Sequence, residues 1–205
     1  MPTNCNLPER NTIMGTEFEL KYIAEESAFT GLKLESDHWK TYQMATTYYD
    51  TPDAVLGKLR WTLRRRFENG ISVCTLKTPA GDHGRNEFEL ECSDIHTAIP
   101  ELVKNGAPAE LLALTAGGIE EVCAARFDRL AGLVTLGGTQ VELALDKGVL
   151  LGGGKELPFV EVEVELKSGD PDTAVAYAQS LAQKYHMRPE PKSKYKRALT
   201  LAGKA

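Results

Sequence analysis

The stretch TEFELKYIAEE, residues 16–26, opens in strict alternation. Glu17, Glu19 and Lys21 fall on one side, and Phe18, Leu20 and Tyr22 on the other. A period of two predicts a β-strand with one apolar and one charged face. The pattern recurs. LRWTLRRR sets Arg60, Thr62, Arg64 and Arg66 against Leu59, Trp61 and Leu63. SVCTLK sets Thr75 and Lys77 against Cys74 and Leu76, and GRNEFELEC sets Arg85, Glu87, Glu89 and Glu91 against Phe88, Leu90 and Cys92. VELALD sets Glu142 and Asp146 against Val141, Leu143 and Leu145. VEVEVEL sets Glu161, Glu163 and Glu165 against Val160, Val162, Val164 and Leu166. In AARFDRL the phase is open: Arg129 shares a face with Phe127, and Arg126 points the other way.

Turn signals separate these runs: ENG at 68–70, AGDHG at 80–84, LGG at 136–138 and LGGGKELP at 151–158. They predict hairpins over 59–77 and 124–146. Helical patterns occupy 94–106 and 108–118, each closed by glycine, and 170–187, with Asp170 or Asp172 as N-cap. A last short helix is expected near Ser193. Residues 1–13 have no periodicity and are expected to be a loose extension, with Met14-Gly15 as a natural start. Residues 14–205 read as a single α+β domain rich in antiparallel strands.

The chain has 205 residues, enough to bury a core. Its net charge of −5 argues against a duplex nucleic-acid partner but leaves room for a locally basic anion site. No apolar run is long enough to span a membrane. None of the four cysteines forms a CxxC pair, and Cys74 and Cys92 read as reduced core residues, which points to a cytoplasmic setting. His38, His83, His96 and His186 lack zinc-ligand spacing, there is no GxSxG elbow, and GGGKEL at 152–157 lacks the form of a phosphate-binding Walker loop. Trp61 and the arginines around it could serve RNA, but the leucines opposite make a half-buried strand the better reading.

A solvated sheet face explains the charge on any single strand. The set is harder to explain this way. Glu161, Glu163 and Glu165 stand in a row with ~7 Å between successive members, and Arg64 and Arg66 form a row of the opposite sign. Single-sign rows repel unless something of opposite sign lies between them. A sheet closed into a barrel would turn these rows inward onto one wet tunnel and leave its apolar outside to the helices. Carboxylates there would hold a hard divalent cation, and Arg and Lys would hold phosphate oxygens.

These motifs resemble the CYTH, or triphosphate tunnel metalloenzyme, superfamily. Glu17-x-Glu19-x-Lys21 resembles its ExExK signature and YYDTPD (48–53) its Y-[YF]-D-T-P segment. LRRR with TLKTP (75–79) resembles its basic strand pair, and RNEFEL (85–90) its R-x-E-x-E strand. VELALDKG (141–148), EVEVELKSG (161–169) and KSKYKRAL (192–199) resemble the later strands and terminal segment. Order and spacing hold from about Gly15 to Leu199.

The resemblance implies a closed eight-stranded antiparallel tunnel that binds triphosphate with Mg²⁺ or Mn²⁺. Glu17, Glu19, Asp146, Glu161 and Glu163 would face the metal. Lys21, Arg64, Arg66, Lys77, Arg129 and Lys194 would grip phosphate. Glu87, Glu89 and Glu165 would belong to the tunnel wall, and Glu17, Glu19, Lys21 and Asp146 form the catalytic set. Arg60, Arg85, Arg126 and Arg197 are further candidates. The implied activity is metal-dependent hydrolysis of inorganic triphosphate. A class IV-type adenylate cyclase and a thiamine triphosphatase are the alternatives, and a non-catalytic polyphosphate or nucleotide binder is a third reading. The expected partner is a small-molecule triphosphate or nucleoside triphosphate, with no membrane or duplex nucleic acid. The chain would be a monomer or a homodimer.

Overall fold

The computed structural model describes residues 18–80 and 84–204. Glu17 and the extension expected over 1–13 lie outside the described residues. The strands are β1 (Glu19–Ile23), β2 (Trp39–Asp50), β3 (Thr62–Glu68), β4 (Ile71–Ala80), β5 (Gly84–Glu91), β6 (Glu120–Leu136), β7 (Thr139–Gly152), β8 (Lys155–Ser168) and β9 (Arg188–Pro189). The helices are α1 (Ala28–Leu32), α2 (Val55–Lys58), α3 (Ile95–Lys104), α4 (Glu110–Thr115), α5 (Pro171–Lys184) and α6 (Lys194–Leu201). Every pairing is antiparallel, in one sheet of order β5-β4-β3-β2-β6-β7-β8-β1-β9. No described helix is long and apolar enough to cross a membrane.

The expected closed eight-stranded barrel is therefore corrected. Among the described residues the sheet has nine strands and is open, with β5 at one end and β9 at the other. Alternation shows which face of a strand is apolar, but closure depends on whether two edges meet. The β9 edge is two residues long and ends in Pro189, which has no N–H to offer a further strand. The sheet is still strongly curved, because β1 and β5 line the same cavity from opposite ends of the strand order.

Both predicted hairpins are present, as β3–β4 and β6–β7, and β8 extends the second into a meander of three long strands. The apolar faces point outward under helices. Leu143, Leu145, Val162 and Val164 pack beneath Ala174, Ala178 and Leu181 of α5. Leu63, Leu76 and Leu90 pack beneath Ile95, Ile99, Leu102 and Leu111 of α3 and α4. Asp170 caps α5 by accepting from the N–H groups of Asp172 and Thr173. Cys74 and Cys123 are free and buried. Cys92 is disulfide-bonded rather than reduced. Apolar neighbours do not separate the two states, because thiol and half-cystine are both small and apolar.

Helix α6 is an exception to this layering. Its Tyr195, Ala198 and Leu199 pack on Tyr48, Phe127, Leu150 and Phe159. Phe127, Leu150 and Phe159 share strand faces with Arg129, Asp146 and Glu161, which is the concave side. The helix plugs one end of the trough. It lies so close that a Cβ on Gly152 would come 2.5 Å from the Ala198 carbonyl.

Three features departed from expectation. Strand β2 was not marked by apolar-polar alternation, since its two faces carry Tyr42, Met44, Thr46 and Tyr48 against Gln43, Ala45, Thr47 and Tyr49. Strand β3 begins at Thr62, not Leu59, because α2 ends there and Arg60 takes a positive φ of 59°. The connection between β2 and α2 is held by Asp50. Its buried carboxylate accepts N–H bonds from Thr51 (2.7 Å), Leu56 (2.9 Å) and Gly57 (2.9 Å). A Cβ at Gly57 would sit 2.9 Å from Asp50 Oδ2, so only glycine lets the carboxylate in. Asp50→Ala leaves these buried donors unpaired and is expected to lower the unfolding free energy by about 3 kcal/mol, as measured by urea denaturation.

Candidate active site

Strand register brings the charged rows together. On β8, Glu161 stands opposite Asp146 and Glu165 opposite Glu142 of β7. On the other flank Glu163 stands opposite Lys21 and Glu165 opposite Glu19 of β1. Arg129 of β6 stands opposite Asp146. Across the trough, Arg64 is paired with Thr75 on β4, and Lys77 is paired with Glu87 and Thr75 with Glu89 on β5. These side chains share the concave face, around a cavity of about 620 Å³.

One wall is an acidic knot. Asp146 and Glu161 are fully buried, and Glu163 nearly so. Lys194 Nζ lies 2.8 Å from Asp146 Oδ2 and 2.6 Å from Glu163 Oε1, and donates to Glu161 Oε1. Arg129 grips Asp146 through Nε and a terminal nitrogen, both at 2.7 Å, and also donates to Glu163 Oε2. Arg197 donates to Glu161 Oε2. Three buried carboxylates thus face three cations. Burial pushes the Glu161 carboxyl up to about 7, with the Glu163 charge adding to it and Lys194 and Arg197 opposing. Burial acts the same way on Glu163, but Lys194 and Arg129 outweigh it and hold that carboxyl below the usual range. Toward β1, Glu19 contacts Lys21 at 3.2 Å. Burial and the neighbouring Glu163 charge raise its carboxyl.

The other wall is basic and less well neutralised. Arg64 contacts Glu87 at 3.3 Å and Glu89 at 3.7 Å, Lys77 contacts Glu87 at 3.0 Å, and Thr75 donates to Glu89 at 2.8 Å. The Nε atoms of Arg64 and Arg66 on this wall, and of Arg197 in the acidic knot, are buried without a hydrogen bond among the described residues, although Arg66 Nε lies 3.3 Å from Glu68 Oε2. Burial, and then the like charge of Arg64, lower the Arg66 pKa. Donors held in this way are ready for an anion.

Of the residues singled out in the sequence, Glu17 lies outside the described residues. Glu19, Lys21, Arg64, Arg66, Lys77, Arg85, Glu87, Glu89, Arg129, Glu163, Glu165 and Lys194 line the cavity. Asp146 and Glu161 lie beneath it, bound to its basic groups. Arg197 joins the knot at Glu161. Arg126 is exposed on the opposite face. Arg60 stands before β3, and its carbonyl accepts from Arg85 at 2.7 Å. Sequence reasoning missed Tyr42, Glu68, Lys167, Ser193 and Tyr195 on the lining. It also missed the stack of Tyr48 on Tyr195, with ring centroids 4.9 Å apart. The period-two spacing of Tyr42, Met44, Thr46 and Tyr48 was the available signal, masked because both faces of β2 mix polar and apolar residues.

Asp146, Glu161 and Glu163 each offer an oxygen, all within 4.8 Å of one another. Hard carboxylate oxygens at this spacing fit a hard divalent cation. A family model for the CYTH domain matches residues 15–199. The chain belongs to the CYTH domain family. It is 30% identical over 165 residues to the inorganic triphosphatase of Haemophilus influenzae, a match that covers 78% of this chain and 46% of that protein. The chain thus spans about half the length of the curated relative it matches. Among solved structures it resembles one from Hippeastrum, described as an adenylyl cyclase candidate with dominant triphosphatase activity. The TM-score is 0.58 at 19% identity, covering 92% of this chain and 97% of that one. A protein from Pyrococcus horikoshii gives a TM-score of 0.57 at 20% identity, covering 90% and 99%. These structural likenesses are of fold. The CYTH sheet of this chain presents its charged side inward and its apolar side to α3, α4 and α5.

The two arginines of β6 make a direct test of this geometry. Arg129→Ala leaves the fully buried Asp146 with Lys194 alone and Glu163 without one of its two cations, and is expected to cost about 3–5 kcal/mol of stability. Arg126→Ala removes an exposed side chain and is expected to change stability by less than about 0.5 kcal/mol. Chemical denaturation of both variants checks the contrast.

Proposed function

We propose that this chain hydrolyses triphosphate substrates with a divalent metal, and that inorganic triphosphate is the principal substrate. The observation that carries the reading is the convergence of an acidic and a basic wall on one cavity. A polyphosphate chain with its counter-cation has the matching charge distribution. The similarity to an inorganic triphosphatase supports the same reading.

Arg64, Arg66 and Lys77 would hold the phosphate chain along the basic wall, the arginines through paired N–H donors. Lys21, Arg129 and Lys194 would flank it from the acidic side and stabilise charge that develops on the phosphoryl oxygens. Glu87 and Glu89 orient the basic groups through the ion pairs described above. Glu19, Asp146, Glu161 and Glu163, with Glu17 from the same motif, would hold Mg²⁺ or Mn²⁺. When bound, that ion neutralises and orients the transferring phosphoryl group. Water attacks the terminal phosphorus in line, the anhydride P–O bond breaks, and the products are diphosphate and phosphate. Met44, Tyr48 and Phe127 of the lining are buried against α6, while Tyr42 and Tyr195 stay half-buried. The preference for inorganic triphosphate over a nucleotide rests on the similarity to an inorganic triphosphatase.

Phosphate release is measured from inorganic triphosphate, ATP and thiamine triphosphate, each with Mg²⁺, Mn²⁺ or EDTA, with cyclic AMP assayed in the ATP samples. EDTA-sensitive release, fastest from inorganic triphosphate, is expected. Arg64→Ala is expected to lower kcat by about 100-fold or more in a protein that still melts cooperatively. Cyclic AMP with diphosphate would move the chain to the cyclase reading. Tight triphosphate binding without turnover would make it a sensor.

A further inference from the structure

We propose that the Lys194 ammonium is a placeholder for the divalent cation. It fills the carboxylate cage until metal enters, and is then released into the cavity to bind the phosphate chain. The inference rests on the metal-dependent triphosphatase reading and adds to it a coupling between metal and substrate.

Lys194 Nζ contacts Asp146 at 2.8 Å and Glu163 at 2.6 Å and donates to Glu161. These are the three carboxylates whose oxygens cluster within 4.8 Å. A divalent ion bound to oxygens at about 2.0–2.6 Å would claim the volume the ammonium fills. Charge leads to the same exclusion. The knot sets Asp146, Glu161 and Glu163, with Glu190 at 3.9 Å from Arg197, against Lys194, Arg129 and Arg197, and carries one excess negative charge. Adding a dication with Lys194 in place leaves one positive charge uncompensated. Releasing the ammonium removes it.

The lysine has somewhere to go. It lines the cavity as well as the cage. Its ammonium sits 5.1 Å from the Phe127 ring centroid and 5.4 Å from that of Phe159, so the side chain is flanked by flat walls. It is the first residue of α6, directly after the Ser193 N-cap. Rotation of its side chain alone moves Nζ from cage to cavity while the helix stays docked. In the cavity the freed ammonium would meet phosphate oxygens. Metal binding thereby raises triphosphate affinity, and by linkage triphosphate raises metal affinity.

Mn²⁺ affinity is measured calorimetrically on the full chain and on Lys194→Met, with and without triphosphate. The variant is expected to bind Mn²⁺ about tenfold more tightly than the wild type and to lose most of the coupling to triphosphate. Mn²⁺ affinity equal to or weaker than wild type, in a variant that melts cooperatively, overturns the proposal and leaves the metal reading standing. If neither protein binds Mn²⁺, the metal reading falls and the proposal with it. A second measurement needs no variant: the ¹⁵N resonance of the Lys194 side chain in the wild-type protein, followed during Mg²⁺ titration. Its carboxylate-bound signature is expected to disappear at saturation, and persistence at saturation would overturn the placeholder role.

Discussion

Three carboxylates buried side by side repel one another, and the local structure depends on bringing cations to them. Asp146 and Glu161 are fully buried and lie on neighbouring strands, with Glu163 one step along. Left alone they would have to protonate or unfold the meander that carries them. Arg129 reaches them from the adjacent strand, and Lys194 and Arg197 from α6. This accounts for α6 lying inside the trough rather than outside with the other long helices. The bare Gly152 surface and the rings of Phe127 and Phe159 give the helix its seat. The ion pairs set its position.

Once α6 is seated, the trough has a closed end and two walls of opposite sign. The acidic wall is internally compensated and tight. The basic wall sets Arg64, Arg66, Lys77 and Arg85 against Glu68, Glu87 and Glu89, and so keeps an excess of positive charge. This imbalance favours an anion on the basic side. It also explains how a chain with a net charge of −5 can carry a site for a polyanion. The excess negative charge lies elsewhere on the surface, where water screens it.

Much of this was legible as alternation. The faces of β1, β3, β4, β5, β7 and β8 follow from side chains that change sign and polarity every second residue, and the turn glycines mark where the hairpins fold. The helices α3, α4 and α5 were marked by caps and by apolar spacing. Strand β2 was not legible, because each face mixes polar and apolar residues: Met44, Thr46 and Tyr48 are buried beside α6 and the cavity, while on the other face only Tyr49 joins the core and Gln43, Ala45 and Thr47 are exposed or half-buried. Its residues therefore show no polar contrast. The short α2 escaped notice because Asp50 holds it through three N–H bonds, and its own propensity contributes little. Arg60 was misplaced for the same reason.

The sequence by itself determined which residues are charged on which face, and hence the set that meets at the site. Side-chain period is a local property of the backbone, and it survives any arrangement of the strands. The tertiary structure alone decided that the sheet stays open, that α6 enters the concave side, and that Arg129 faces the cavity while Arg126 does not. It also decided that Asp146 and Glu161 lie beneath the lining, sealed by lysine and arginine. Each of these depends on which distant segments approach one another. That is set by packing and by the electrostatic need of buried charges for partners, neither of which is encoded within any single stretch of the chain.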